Sequence, residues 1–125
     1  EKFLKIKGNV EIHCIGHLQT NKIRKAVSIF DIIQTVDSEK IVLELDKECQ
    51  KIGKIMPILI EINIAREENK NGCVPENIMK LAEFISKLKN ILNCTGVYQY
   101  PPLLSKKWIL LKIYMEKNLI NLCIH

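Results

Sequence analysis

The five cysteines of this 125-residue chain form no C-x-x-C pair, their number is odd, and no secretory signal opens the sequence. A disulfide framework is thereby excluded as the organising principle, and a reducing, cytoplasmic setting is expected. The segment 103–125 is rich in Ile and Leu, but Lys112, Glu116 and Lys117 interrupt it, so it lacks the roughly 18 unbroken apolar residues of a membrane span. Gly16 stands alone rather than in G-x-G-x-x-G or a P-loop, which leaves dinucleotide and nucleoside triphosphate binding unsupported. There is no H-E-x-x-H and no nucleophile elbow. The net charge is +5, but four lysines against one glutamate place +3 of it after residue 102, leaving +2 for everything before. No basic stripe interleaved with aromatics accompanies it, so neither nucleic acid nor a membrane is expected as partner. What is there is ordinary for one globular domain: 47% hydrophobic and 26% charged residues.

The pattern along the chain alternates strands with helices. "VEIHCIG" (10–16) has the period of two of a strand and stops at Gly16. From Thr20, a candidate N-cap, Ile23, Ala26, Val27 and Phe30 fall on one helical face. "IIQTV" (32–36) is a short β-branched strand, and Ser38 is a candidate N-cap for a helix burying Ile41, Val42, Leu45, Cys49 and Ile52, with Gly53 as its stop. "PILIEINIA" (57–65) puts Ile58, Ile60, Ile62 and Ile64 on one side and Leu59, Glu61, Asn63 and Ala65 on the other. After a polar loop (66–74), Pro75 opens a helix burying Ile78, Leu81, Ala82, Ile85 and Leu88. "NCTGVYQY" (93–100) reads as a fourth strand ended by Pro101 and Pro102.

This β-α-β-α-β-α-β order predicts parallel strands with right-handed crossovers, the beginning of either an open doubly wound sheet or a (β/α)8 barrel. The third strand favours the barrel, because an all-isoleucine face suits packing on helices while Glu61 and Asn63 suit a polar interior near the active end. Four such strands make a half-barrel with two exposed edges, so something is expected to precede and follow, and self-association through those edges is the alternative. Residues 103–125 differ in character. They fit either a real amphipathic helix or an out-of-frame translation.

Candidate chemistry concentrates at strand ends. His13 and His17 flank Cys14, but a strand running into a loop does not aim two imidazoles at one metal and no third ligand has diagnostic spacing. The expectation is no metal, with an inward, hydrogen-bonded His13 and His17 at the loop rim. A Cys14/His17 dyad lacks an orienting third group. Lys70, in "REENKNG" (66–72), stands where a barrel would place its ligand and suits a phosphate or an aldehyde, or simply pairs with Glu67 or Glu68 on a solvated loop.

"IHCIGHLQTNKIRK", "TVDSEK", "ILIEINIAREENKNG" and "TGVYQYPP" resemble, in order and spacing, the strand-end motifs of the pyridoxal-phosphate homeostasis protein family, itself similar to the N-terminal barrel domain of alanine racemases. The most specific pieces are I-G-H-L-Q-T-N-K (15–22), V-D-S (36–38) and Asn63 to Gly72, where N-I precedes E-x-x-K-x-G. The resemblance covers residues 3–102. It implies a partial (β/α)8 TIM-type barrel, about strands three to six with their helices, in a domain 1–102 followed by an atypical tail 103–125. It also implies pyridoxal 5′-phosphate (PLP) as cofactor, a non-catalytic role in vitamin B6 homeostasis rather than an enzyme, and impaired binding in a truncated copy. In that family a lysine on the first strand forms a Schiff base with the aldehyde and backbone amides near the last strands hold the phosphate; neither region is present here. The resemblance places His17, Asn63, Lys70 and Tyr98 toward the cofactor, with Gln19 and Lys22 fixing the loop and helix that follow His17. Tyr98 departs from the family's usual methionine. A racemase-type PLP enzyme and a basic-tail interaction module are the competing functions.

Overall fold

The computed structural model describes residues 10–98, with side chains described as far as Ile91. The expected boundary at Pro102 and the tail 103–125 lie outside them. Within the described residues, four strands, β1 (His13–Cys14), β2 (Ile32–Val36), β3 (Met56–Glu61) and β4 (Ile91–Tyr98), alternate with helices α1 (Ile23–Ile29), α2 (Glu39–Ile52) and α3 (Ile78–Ser86). The sheet is parallel throughout and its order is β1-β2-β3-β4. Each crossover therefore steps one strand in the same direction. With right-handed connections this keeps the helices on one face, without the reversal that defines a doubly wound sheet. The fold is α/β.

Register explains the core. Cys14, Ile33, Ile58 and Cys94 form one row across the sheet, and Val36, Ile60 and Val97 form the next. Helix residues Ile23, Val27, Val42, Leu45, Ile78 and Ile85 join Ile33, Val36, Ile58 and Ile60 in a single buried cluster. At roughly 1.5–3 kcal/mol for each fully buried large aliphatic side chain, this layer dominates the stabilisation. β2 reaches it by an irregularity: three steps from Ile33 to Val36 match two from Ile58 to Ile60. That extra residue lets Ile33 and Val36 both join the core and ends strict alternation, so Gln34 and Thr35 are buried as well.

Helix ends follow local chemistry with some corrections. Ser38 caps α2 as expected, its Oγ accepting from the Ile41 N–H at 3.3 Å. Gly53 ends α2 in the left-handed region (φ 64°, ψ 31°). Pro75 opens a 3-10 turn (Pro75–Asn77) that leads into α3. Thr20 does not cap a helix: it lies inside a 3-10 turn, Thr20–Lys22, whose flanking Gln19 and Lys22 make no side-chain cap bond. Lys22 sits exposed at the join of that turn to α1, and Gln19 just before it. Ile52 is not on the buried face of α2 but 54% exposed, because the chain turns away at Gly53 one residue later. The first and third strands are shorter than their alternation suggests, since Ile62 makes only an isolated bridge with Cys73 and residues 63–65 turn away from the sheet.

At the opposite end from the strand tips, Lys54 donates from Nζ to the carbonyls of Val27 (2.8 Å) and Phe30 (2.6 Å). It thus satisfies carbonyls at the C-terminal end of α1 with a positive charge, where the helix dipole favours one. In urea unfolding, Ser38→Ala is expected to cost about 1 kcal/mol and Lys54→Met about 1.5–3 kcal/mol, with the slope against denaturant unchanged in both.

Candidate functional site

Because all four strands run the same way, their C-terminal ends share one rim: Gly16 and His17 follow β1, Asp37 follows β2, the loop 63–73 follows β3, and Tyr98 ends β4. On the face away from the core, polar groups at this rim satisfy one another. The Gln34 Nε2 amide donates to His13 Nδ1 at 2.9 Å, which assigns the ring proton to Nε2, where it meets Glu11 Oε1 at 2.5 Å. Thr35 Oγ1 donates to the Gly16 carbonyl at 2.8 Å. His13 is therefore the inward, hydrogen-bonded histidine its strand position suggests. Among the described residues no three His, Cys, Asp or Glu side chains gather as a metal site.

The loop after β3 is built around Asn63. Its Nδ2 donates to the carbonyls of Glu67 (2.9 Å) and Lys70 (3.3 Å), and its Oδ1 accepts from the Glu67 N–H (3.2 Å). The returning chain is stitched to the strand by Cys73 N–H to the Glu61 carbonyl (2.8 Å) and Asn63 N–H to the Cys73 carbonyl (2.9 Å). Gly72 makes this possible: its φ is +115°, and a Cβ there would lie 2.7 Å from the Asn63 nitrogen and 2.9 Å from the Ile62 carbonyl carbon. Its N–H donates to Asp37 Oδ2 at 3.1 Å, tying the loop to the end of the neighbouring strand. Arg66, at φ 56°, ion-pairs with Glu76. Beside the loop a cleft of about 380 Å³ opens, lined by Asp37, Ser38, Gly72, Cys73, Asn77 and Lys80 among others.

Glu61 is the last residue of β3 and the register partner of Tyr98. Its Oε2 is buried and has no hydrogen-bond partner. Burial, then the Asp37 carboxylate, push its pKa up from the ordinary 4.5, and His17 partly opposes them. The thiols nearby are not nucleophiles in waiting. Burial, then Asp37, push Cys73 up to about 11, and burial raises Cys14, whose Sγ donates toward the Gly16 carbonyl at 3.6 Å.

The residues singled out from the sequence do share this rim, in different states. His17 is exposed and close enough to Glu61 to act on its charge. Asn63 spends its side chain on the loop. Lys70 is exposed and pairs with Glu67 (2.8 Å), the solvated-loop alternative. Tyr98 is placed by its backbone register beside Glu61. Sequence reasoning put Glu61 on the polar face without making it a site residue, and passed over Asp37 within V-D-S; the signal for both was a carboxylate at the end of an apolar strand.

Gly72→Ala is expected to destabilise the chain by about 1–3 kcal/mol through backbone strain and crowding, while Asn63→Ala leaves the sheet intact and exposes the loop to limited proteolysis between 64 and 71. A carboxyl whose folded pKa is raised holds its proton more tightly when folded, so its contribution to stability is greatest below the unfolded value and is lost as pH rises through the folded one. As pH rises above the ordinary carboxyl value of 4.5, the unfolding free energy of the wild type should accordingly fall relative to that of Glu61→Gln, as measured by denaturant melts at each pH.

The sequence profile described as "Alanine racemase, N-terminal domain" matches residues 4–117. The pyridoxal phosphate homeostasis protein of Buchnera aphidicola subsp. Schizaphis graminum is 40% identical over 103 residues, covering 81% of this chain and 44% of that protein. The chain thus spans under half the length of this curated relative. PipY of Synechococcus elongatus, solved without PLP, superposes with a TM-score of 0.72 at 25% identity over 93% of this chain and 54% of that one; the same protein has been solved with PLP bound. An alanine racemase of Clostridium difficile 630 shares the fold alone, with a TM-score of 0.75 at 12% identity over 99% of this chain and 35% of that one.

Proposed function

This chain belongs to the alanine racemase N-terminal domain family, and we propose from that premise that it is part of a PLP-binding protein of vitamin B6 homeostasis, a non-catalytic carrier of the cofactor. The observation that carries this reading is the convergence of the four family-like motifs on one rim. Residues 15–22, 36–38, 63–72 and the end of β4, separated in sequence, all stand at the C-terminal ends of adjacent parallel strands. That is where barrels of parallel strands bind their ligands. The relatives named for pyridoxal phosphate homeostasis and the PLP-bound PipY support the same ligand class.

On this reading the sheet is about half of a (β/α)8 barrel, strands three to six, and its face away from the helices lines the barrel interior. The strictly sequential strand order and the polar inner network support that placement. An isolated half-barrel leaves strand edges available, and self-association through them is part of the proposal.

The described residues fit the cofactor in part. Bound PLP supplies an aldehyde that a lysine amine can capture covalently, but none of the four strands carries a lysine, and Lys70 is held by Glu67 on the loop. What the rim offers is polar recognition: His17 at the mouth, the Asn63-ordered loop as wall, and Glu61 with an unsatisfied oxygen. This chain is therefore proposed to hold PLP weakly and without a covalent link. A racemase reaction would also require an acid/base residue opposing the lysine.

The test is PLP addition, borohydride reduction and peptide mapping, beside a chemical-shift titration with PLP. The expected outcome is saturable shifts at rim residues with no lysine labelled stoichiometrically. Full labelling of Lys70 would replace the non-covalent reading with a covalent one, and absence of any shift would remove cofactor binding from this chain.

A further inference from the structure

Glu61 poses a question that the fold does not answer. Several polar residues near it have hydrogen bonds inside the protein: His13 with Gln34 and Glu11, Thr35 with Gly16, Asn63 with the loop, Asp37 with Gly72. Among the described residues, the Glu61 carboxyl alone keeps a buried side-chain oxygen, Oε2, without a partner. A buried acceptor left unpaired costs on the order of 1–3 kcal/mol, more for a charged one, and native structures retain few of them. The backbone around it is nevertheless fixed. The Glu61 carbonyl accepts from Cys73, its Cα is in register with Tyr98, and the loop that begins two residues later is locked by Asn63 and Gly72. The carboxyl also stands where two charges act on it, Asp37 on the next strand and His17 on the one beyond.

A carboxyl on a fixed strand end, with a buried acceptor left open at a cost in stability, is arranged for a donor from outside the chain. We infer that Glu61 is a direct ligand contact, its Oε2 accepting a hydrogen bond from an N–H or O–H donor on the ring of the molecule bound at the rim. The inference rests on the reading of the rim as a PLP site and deepens it, because PLP carries such donors in its ring hydroxyl and protonated ring nitrogen. Lys70 is a donor and has no acceptor to offer, and the Asn63 Oδ1 already accepts from the Glu67 N–H.

The experiment compares the wild-type chain, Glu61→Leu and Glu61→Gln in two measurements: thermal unfolding without ligand, and the chemical-shift titration with PLP. The expected result is that Glu61→Leu raises the unfolding midpoint, since it removes an unpaired buried carboxyl, and weakens PLP at least tenfold. Glu61→Gln, which keeps an acceptor oxygen, should lose less affinity than Glu61→Leu. A lower unfolding midpoint in both variants would show that Glu61 has a structural partner and overturn the inference. Wild-type and Glu61→Leu chains binding PLP equally would overturn it while leaving the PLP reading standing. No saturable PLP binding by the wild type would overturn the PLP reading and this inference together.

Discussion

Parallel strands joined by right-handed crossovers can advance across a sheet in one direction only if every helix lies on the same face. The remaining features follow from that constraint. The helix-facing side must be apolar along a register row, and among the residues with described side chains it is, from Cys14 through Ile33 to Ile58. The strand tips must all fall at one end, so residues up to about eighty positions apart in the chain become neighbours along a single rim. Among the described residues the other face carries no helix, and there Gln34 bonds to His13 and Thr35 to the Gly16 carbonyl across strands.

That division has a thermodynamic logic. Stability resides in the helix-facing layer, where Ile23, Val27, Ile33, Leu45, Ile58, Ile60, Ile78 and Ile85 are almost wholly removed from water. The rim contributes little of it and in one place works against it, because half-buried Glu61 keeps one buried oxygen unpaired and lies near another carboxylate. Departures of this sort concentrate at sites of function, where local preference is set aside and the rest of the fold makes up the loss.

The loop 63–73 shows how rigidity is achieved without regular structure. One asparagine side chain organises its turn, one glycine lets it lie against the strand, and one aspartate from the adjacent strand fastens it. On the proposed reading, a polar wall built this way is preorganised beside the ligand. That is what reversible holding of a small cofactor requires, since a preorganised site spends less of its binding energy on ordering itself.

Much of this was legible in the residues themselves. Period-two and period-3.6 patterns determined which segments are strands and helices and, with them, the α/β class; Ser38, Gly53 and Pro75 announced helix ends because capping and φ preferences act within a few residues. The family-like motifs pointed to the rim and its ligand class. Where the periodic pattern failed, turn geometry or sheet register decided. Thr20 entered a 3-10 turn instead of capping, Ile52 faced outward because the chain leaves at Gly53, and β2 slipped by one residue to bring both Ile33 and Val36 onto the helices. The closed loop gives Asn63 and Lys70 partners within the chain that spacing alone does not announce, and the Asp37 carboxylate acts on Glu61 only because their strands lie side by side. Sequence by itself determined the periodic elements and the motifs, since these depend on near neighbours. Which polar atoms found partners, and which one did not, was decided by tertiary structure, because hydrogen bonding and burial depend on what the fold brings within reach.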